Sequence, residues 1–404
     1  MTSGAGTPSR SNAPRLLLTR GMRGFADGVV SVLLVTYLTR LGFSPFQIGA
    51  IATGTLLGSA VLVFVLGLFG HRLDARQVLL GACVLMVATG IGFAGLSSFW
   101  PLLLVAVVGT LNPSAGDVSI FLPMEQAALA GASDSGRRTS LFAWYNVVGT
   151  LAGALGALAS AAPELAARWL RIKPINAERA GFMLYSAIAV LAATVSLRLT
   201  PSAARTSRPS QPLAHSKRLV LKLSALFGLD ALGGGFVVQS LLVLYLYRRF
   251  QLSPELTGTL FFAVGLFGAL SQLASGQLTA RIGHIKTMVY THLPANVFLV
   301  AAGLMPTASL AIFFLLLRAL LSQMDVPARQ AYVMSVVPES ERTAASSVTN
   351  VPRSLASALP PLLAGAMLER SSFGWPLICA GVLKAAYDLL LLAQFNTVKP
   401  LEEA

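Results

Sequence analysis

The chain has 404 residues, of which 55% are hydrophobic and only 11% charged, and its mean hydropathy is +0.71. That is more apolar surface than one water-soluble core can hide, which excludes an ordinary soluble enzyme. The net charge of +14 resides in loops between apolar stretches and not in one basic surface, so it points to membrane sidedness and away from nucleic acid.

With lipid as solvent, a spanning helix needs roughly 20 apolar residues to cross ~30 Å of hydrocarbon. Helices satisfy their own backbone hydrogen bonds there, and these stretches are too long and continuous for a β-barrel, so the expected fold class is all-α. Apolar runs bounded by Gly, Pro and charge clusters predict twelve spans. In chain order they are 22–39, 46–69, 78–97, 100–122, 140–161, 181–199, 222–247, 256–279, 287–304, 308–332, 344–367 and 375–395.

The domain organisation follows: a disordered tail over 1–14, a six-helix bundle over 15–199, a linker over 200–217, a second bundle over 218–395 and a tail over 396–404. The linker, TPSAARTSRPSQPLAHSK, has a flexible composition. Most of the 30 Lys and Arg fall inside if both termini and the linker are cytoplasmic, while Arg168, Arg171, Lys173 and Arg179 run against that rule. Cys83 and Cys379 lie in apolar runs and read as packing residues.

An internal repeat organises the chain. At one constant register Gly24, Ser44, Pro45, Gly49, Gly67 and Arg72 meet Gly233, Ser253, Pro254, Gly258, Gly276 and Arg281. At a slightly shorter register Pro123, Gln126, Arg138, Thr139 and Asn146 meet Pro327, Gln330, Arg342, Thr343 and Asn350, and Glu125 meets Arg329 with opposite charge. Two parallel halves imply a pseudo-twofold axis along the membrane normal and a site where the halves meet.

After span two the chain reads GLFGHRLDARQVLL from Gly67, and after span eight GQLTARIGHIK from Gly276. Both resemble the cytoplasmic loop signature of the major facilitator superfamily, and the likeness extends to twelve spans, the repeat, the central linker and the loops bearing Arg138 and Arg342. The resemblance implies a two-bundle fold, alternating access and a gating role for Gly67, Arg72, Asp74, Gly276, Arg281 and Gly283. The sequence departs from the signature at His71 and Ala280, where an acid is expected; Asp74 is placed to supply the first missing charge. Gly149, Gly153 and Gly156 on span five read as a close-packing face in place of the Gly-Pro pair common in family antiporters.

A charge in hydrocarbon costs at least ~2.5 kcal/mol and normally faces a cavity or a partner. The candidates for substrate and proton coupling are therefore Asp27, Asp117, Asp230, Arg318, Asp325 and the polar Gln239; in the superfamily their spans one, four, seven and ten line the central cavity. Arg23 with Asp27, Asp325 with Arg329, and Lys384 with Asp388 are each spaced as i,i+4 pairs, and the anion that answers Arg318 is Asp27 or Asp117, or else an anionic group of the substrate. Asn112, Tyr245 and Asn296 suit either substrate contact or interhelical bonding.

No G-x-x-x-x-G-K-[ST], G-x-S-x-G or H-E-x-x-H occurs, and the four histidines are read as lying in or near loops or span ends, so neither enzyme nor cofactor is expected. The reading is a monomeric secondary transporter of the bacterial inner membrane, moving a small organic solute with proton coupling and export as the favoured direction. The alternatives are a sensor or assembly factor on the same fold, or a membrane-embedded enzyme.

Overall fold

The computed structural model describes residues 12–69, 74–114, 135–199, 216–338 and 341–396, with positions 121, 125, 129 and 213 between them. The fold is an all-α membrane protein of twelve spans. Span one is Ala13–Arg40, span two Pro45–Phe69, span three Ala75–Gly95, and span four opens with Phe99–Val108. Span five is Ser135–Ala159 and span six Pro174–Leu197, with a short helix Ala162–Leu170 between them. In the second half, span eight is Pro254–Ile282, span nine His284–Leu304 and span twelve Trp375–Phe395.

Three second-half spans are broken, each for a chemical reason. Span seven divides into Lys217–Gly235 and Gln239–Phe250 after Gly233, Gly234 and Gly235, residues of low helix propensity. Span ten divides into Ala308–Ser322 and Asp325–Ser335, whose first turn carries Asp325 at the positive end of the new helix. Span eleven divides into Arg342–Ala358 and Pro360–Arg370, because Pro360 and Pro361 have no N–H to continue the ladder yet suit a first turn.

Several boundaries differ from the hydropathy reading. Span one starts at Ala13 and not near 22, because a buried face carries Arg20, Arg23 and Asp27 where apolar content alone ends the span. Span nine starts at His284, which moves His292 from near a span end to the middle of a buried helix. The central linker and both tails lie almost entirely outside the described residues.

Bonding sets the ends of the bundle. Arg15 Nη1 donates to Arg198 O at 2.6 Å, so span one starts where span six ends. Ser216 N donates to Glu341 Oε2 at 3.1 Å, placing the starts of spans seven and eleven together. We call this the terminal face and its opposite the far face. Large apolar side chains point outwards along the bundle, and Trp100, Trp169 and Trp375 mark the far face as an interfacial aromatic band would.

Small residues let span one lie directly on span five. A Cβ added at Gly28 would stand 2.0 Å from Gly153 O, and one at Gly24 would stand 2.7 Å from Gly149 O. Gly149 and Gly153 on span five are thus a close-packing face. At Gly276 a side chain would meet nothing within 4 Å; the turn after span eight is made instead by Gly283, at φ +83.

Candidate functional site

Three polar constellations lie inside the bundle. The first joins spans one, four and five. The Arg23 guanidinium pairs with Glu125 in a fully buried ion pair, and Glu125 also accepts from Thr19 Oγ1 at 3.2 Å and from the Tyr145 hydroxyl. Arg23 lies over the Phe121 ring at 4.0 Å and Arg20 over the Tyr145 ring at 5.1 Å, so both cations are held against aromatic faces. The partner of Arg23 is therefore Glu125 across the bundle, in place of the i,i+4 pair with Asp27 expected from spacing. Asp27 forms no ion pair among the described residues, and the Asn112 side chain of span four lies beside it.

A second constellation occupies spans seven, nine, ten and twelve. Asp230 accepts from Arg329 Nη1 at 3.1 Å and from Lys384 Nζ at 2.6 Å, and Arg329 also donates to Asp325 at 3.2 Å. Asp388 binds His292 Nδ1 at 2.9 Å and accepts from Asn296 Nδ2 at 2.8 Å. The His292 Nε2 faces Asp230 at 3.8 Å. All six ionisable groups are buried. The i,i+4 pairing of Asp325 with Arg329 is present; that of Lys384 with Asp388 is not, since Lys384 turns to Asp230 and Asp388 to His292.

The third constellation bridges the halves near mid-depth. Gln239, at the start of the second helix of span seven, donates Nε2–H to Ser31 Oγ at 2.8 Å. Beside it Ser240 N–H donates to Pro113 O at 3.0 Å. Asp27 lies one turn from Ser31 on span one, so Asp27, Asn112 and Gln239 gather where the halves meet.

Further contacts between the halves close the far face. Glu369 accepts from Ser44 Oγ and from Phe46 N, both at 2.9 Å, so the end of span eleven caps the start of span two. Leu362 N donates to Thr53 Oγ1 at 2.9 Å, and Gly49 meets Gly365 backbone to backbone. Arg168 reaches Glu255 at 3.2 Å and Glu164 at 3.5 Å, while Arg40 reaches Glu164 at 3.1 Å and Glu178 at 3.5 Å. The cations that ran against the charge rule thus include Arg168, which belongs to this ion-paired closure. A pocket of about 260 Å³, lined by Thr36, Arg40, Glu164, Val243, Tyr247 and Thr257 among others, lies on this face, away from the second constellation.

Arg318 is half-buried, forms no ion pair with an acid among the described residues, and leaves its Nε without a hydrogen bond. The expected pairing with Asp27 is absent, and Asp117 lies outside the described residues. So does Arg72, and nothing is described of the side chains of Arg138 and Arg342. Asp74 caps span three, its carboxylate accepting from Arg76 N at 3.4 Å. Arg281 is exposed at the end of span eight. Among the described residues no group of three or more His, Cys, Asp or Glu is arranged to hold a metal ion.

The sequence reading missed His292 and the roles of Lys384 and Asp388. The signal was present: His292 and Asn296 sit one turn apart within an apolar helix, as Lys384 and Asp388 do.

Comparison with known proteins agrees with this architecture. Overlapping matches to the family described as Major Facilitator Superfamily cover residues 16–321 and 226–403. A relative described only as an uncharacterized membrane protein of Saccharomyces cerevisiae is 24% identical over 93% of this chain and 92% of its own length. A D-xylose transporter of Levilactobacillus brevis is 25% identical over 32% of this chain and 28% of its own. A bacterial homologue of the human lysosomal transporter Spinster, solved inward-facing and occupied, superposes with a TM-score of 0.74 at 15% identity, covering 97% of this chain and 98% of that one. The nucleoside transporter NupG superposes with a TM-score of 0.71 at 14% identity, covering 96% of this chain and 99% of that one. Family matches along nearly the whole chain, on twelve spans in two related halves, establish that this chain belongs to the Major Facilitator Superfamily and is a membrane transporter of the alternating-access type.

Proposed function

We propose that the protein is a proton-coupled secondary transporter of a small organic solute, with the terminal face in the cytoplasm, the far face outside, and export as the direction of flow. The observation that carries the coupling is the buried charge cluster of spans seven, nine, ten and twelve, since ionisable groups held inside a membrane bundle are kept at an energetic cost that function must justify. Solute binding is assigned to Asp27, Asn112 and Gln239, where polar groups from both halves converge, and to Arg318, a half-buried guanidinium beside Asp230 and Asp325 that keeps bonding capacity. Relatives named for D-xylose and nucleosides support a small organic solute as the cargo class. The closed far face corresponds to an inward-facing state, and Arg72 and Arg281 are assigned to the gating loops on the cytoplasmic side.

The test is flux in vesicles. Purified protein reconstituted with an internal pH dye and an imposed pH gradient is offered a panel of sugars, nucleosides and organic ions. A solute that discharges the gradient only in the presence of protein supports the reading, and the side from which the solute must be supplied tells exchange for protons from co-transport with them. Solute flux without proton movement makes the protein a uniporter. Folded protein with no flux for any solute favours the sensor or assembly role.

A further inference from the structure

We propose that the coupled proton is held by His292 of span nine together with Asp388 of span twelve, behind the cavity-lining helices, and is transmitted to span seven through Asp230. The assignment rests on the proton-coupled reading above and names the site that reading leaves open.

Charge balance makes the argument. Asp230 and Asp325 are answered by Arg329 and Lys384, with contacts of 3.1 Å, 3.2 Å and 2.6 Å, so those four groups are electrically neutral by themselves. What remains is Asp388, 0% exposed, whose one basic partner within ion-pair distance among the described residues is His292. Lys384, one turn away on the same helix, has its ammonium committed to Asp230. With neutral imidazole the His292–Asp388 pair is a buried monoanion; with one added proton it is neutral. The step adds one proton to an imidazole nitrogen or a carboxylate oxygen and changes no other bond.

The surroundings fit a site that changes charge. Asn296 donates to Asp388 while its own Oδ1 has no hydrogen-bond partner among the described residues, and the buried Tyr387 hydroxyl, on a ring edge-on to His292 at 6.1 Å, has none either. Among the described residues, the remaining charged groups facing the cluster are Arg318 of span ten, which acts on Asp230 and Asp325, and Arg353 of span eleven, which acts on Asp230; both are half-buried.

The link to motion is Asp230. His292 presents Nδ1 to Asp388 and Nε2 to Asp230, so an imidazolium attracts both carboxylates and a neutral ring attracts one at most. Asp230 lies about one and a half turns before the break of span seven, and Gln239 beyond that break holds the other half through Ser31. Gain or loss of the proton thus changes the pull on a helix that ends at the interface between halves.

The test uses full-length protein in nanodiscs, free of Cys83 and Cys379, with spin labels at Leu165→Cys and Leu256→Cys, exposed far-face positions in opposite halves. The interlabel distance distribution of the parent is expected to shift between about pH 5 and pH 9. His292→Gln and Asp388→Asn are each expected to abolish that shift, whereas His215→Gln, in the central linker, retains it. Either variant with the parent's midpoint overturns the proposal, as does a parent that shows no shift. Should both variants fail to fold, histidine-selective NMR of protein carrying replacements at His71, His215 and His284 reads His292 alone. A change of charge state at the pH of the distance shift supports the proposal, and one unchanging state overturns it. In the flux assay, retained proton coupling in His292→Gln sinks this site alone, while uncoupled solute flux by unaltered protein sinks the proton-coupled reading as a whole.

Discussion

Arg23 on span one and Glu125 on span four form a buried ion pair whose counterpart in the second half, Asp230 on span seven with Arg329 on span ten, has the opposite polarity. Glu125 and Arg329 are equivalent in the repeat, and Arg23 and Asp230 stand within one turn of equivalence. Each half therefore ties its first span to its fourth by the same bond with the ends exchanged.

Because the second half already holds the reversed polarity, the first is expected to tolerate it. Arg23→Ala or Glu125→Ala strands a buried charge and is expected to destabilise by about 3–5 kcal/mol. The exchanged double variant, Arg23→Glu with Glu125→Arg, is expected to recover most of that loss. Thermal unfolding of purified protein measures both, and a double variant no more stable than the singles refutes the equivalence.

Closure of the far face depends on backbone contact between spans two and eleven. A Cβ at Gly365 would stand 2.5 Å from Pro45 O and 3.0 Å from Gly49 Cα. Gly365→Leu is expected to disfavour the closed state by about 1–3 kcal/mol, the usual penalty of overpacking. Thiol labelling of a cysteine at Thr53 is then expected to accelerate roughly 5-fold to 150-fold, since each 1.4 kcal/mol is a factor of ten; an unchanged rate places the closing contact elsewhere.

Gln239 and Ser31 supply a hydrogen bond between halves at mid-depth. Gln239→Ala is expected to weaken the closed state by about 1 kcal/mol, the net value of an ordinary hydrogen bond. Interlabel distances across the far face give the populations directly, and no change in them removes this bond from the switching machinery.

Arg318 is assigned to solute binding through a guanidinium with unused donors. Once a thermal-shift screen has identified a ligand, Arg318→Ala is expected to lose at least tenfold in affinity. Arg318→Lys is expected to fall between, because lysine keeps the charge without the planar donor fork. Unaltered binding in both variants takes Arg318 out of the site.

Orientation is checked by impermeant thiol reagents on intact cells. A cysteine at Ser371, after span eleven, is expected to label from outside, and one at Ser207, in the linker, only after permeabilisation. The reverse pattern inverts the assignment of the two faces.

Hydropathy and the repeat were enough to read the fold class, the number of spans and the two related halves, because each depends on local composition and chain-length geometry. Even the glycines of span five were legible as a packing face, since small residues at helical spacing serve close approach whatever the partner. The pairing of charges was not legible. Spacing along one helix proposes Arg23 with Asp27 and Lys384 with Asp388, and it finds Asp325 with Arg329 correctly, but it has no access to the neighbouring helices. Glu125 meets Arg23 across a separation of 102 residues, and Asp230 meets Lys384 across 154. Such meetings depend on how each helix is rotated and at what depth it lies, which the burial of all its side chains sets together. His292 shows the same division: the sequence reading places it near a span end, and only the packing of spans seven, nine and twelve puts it between two carboxylates.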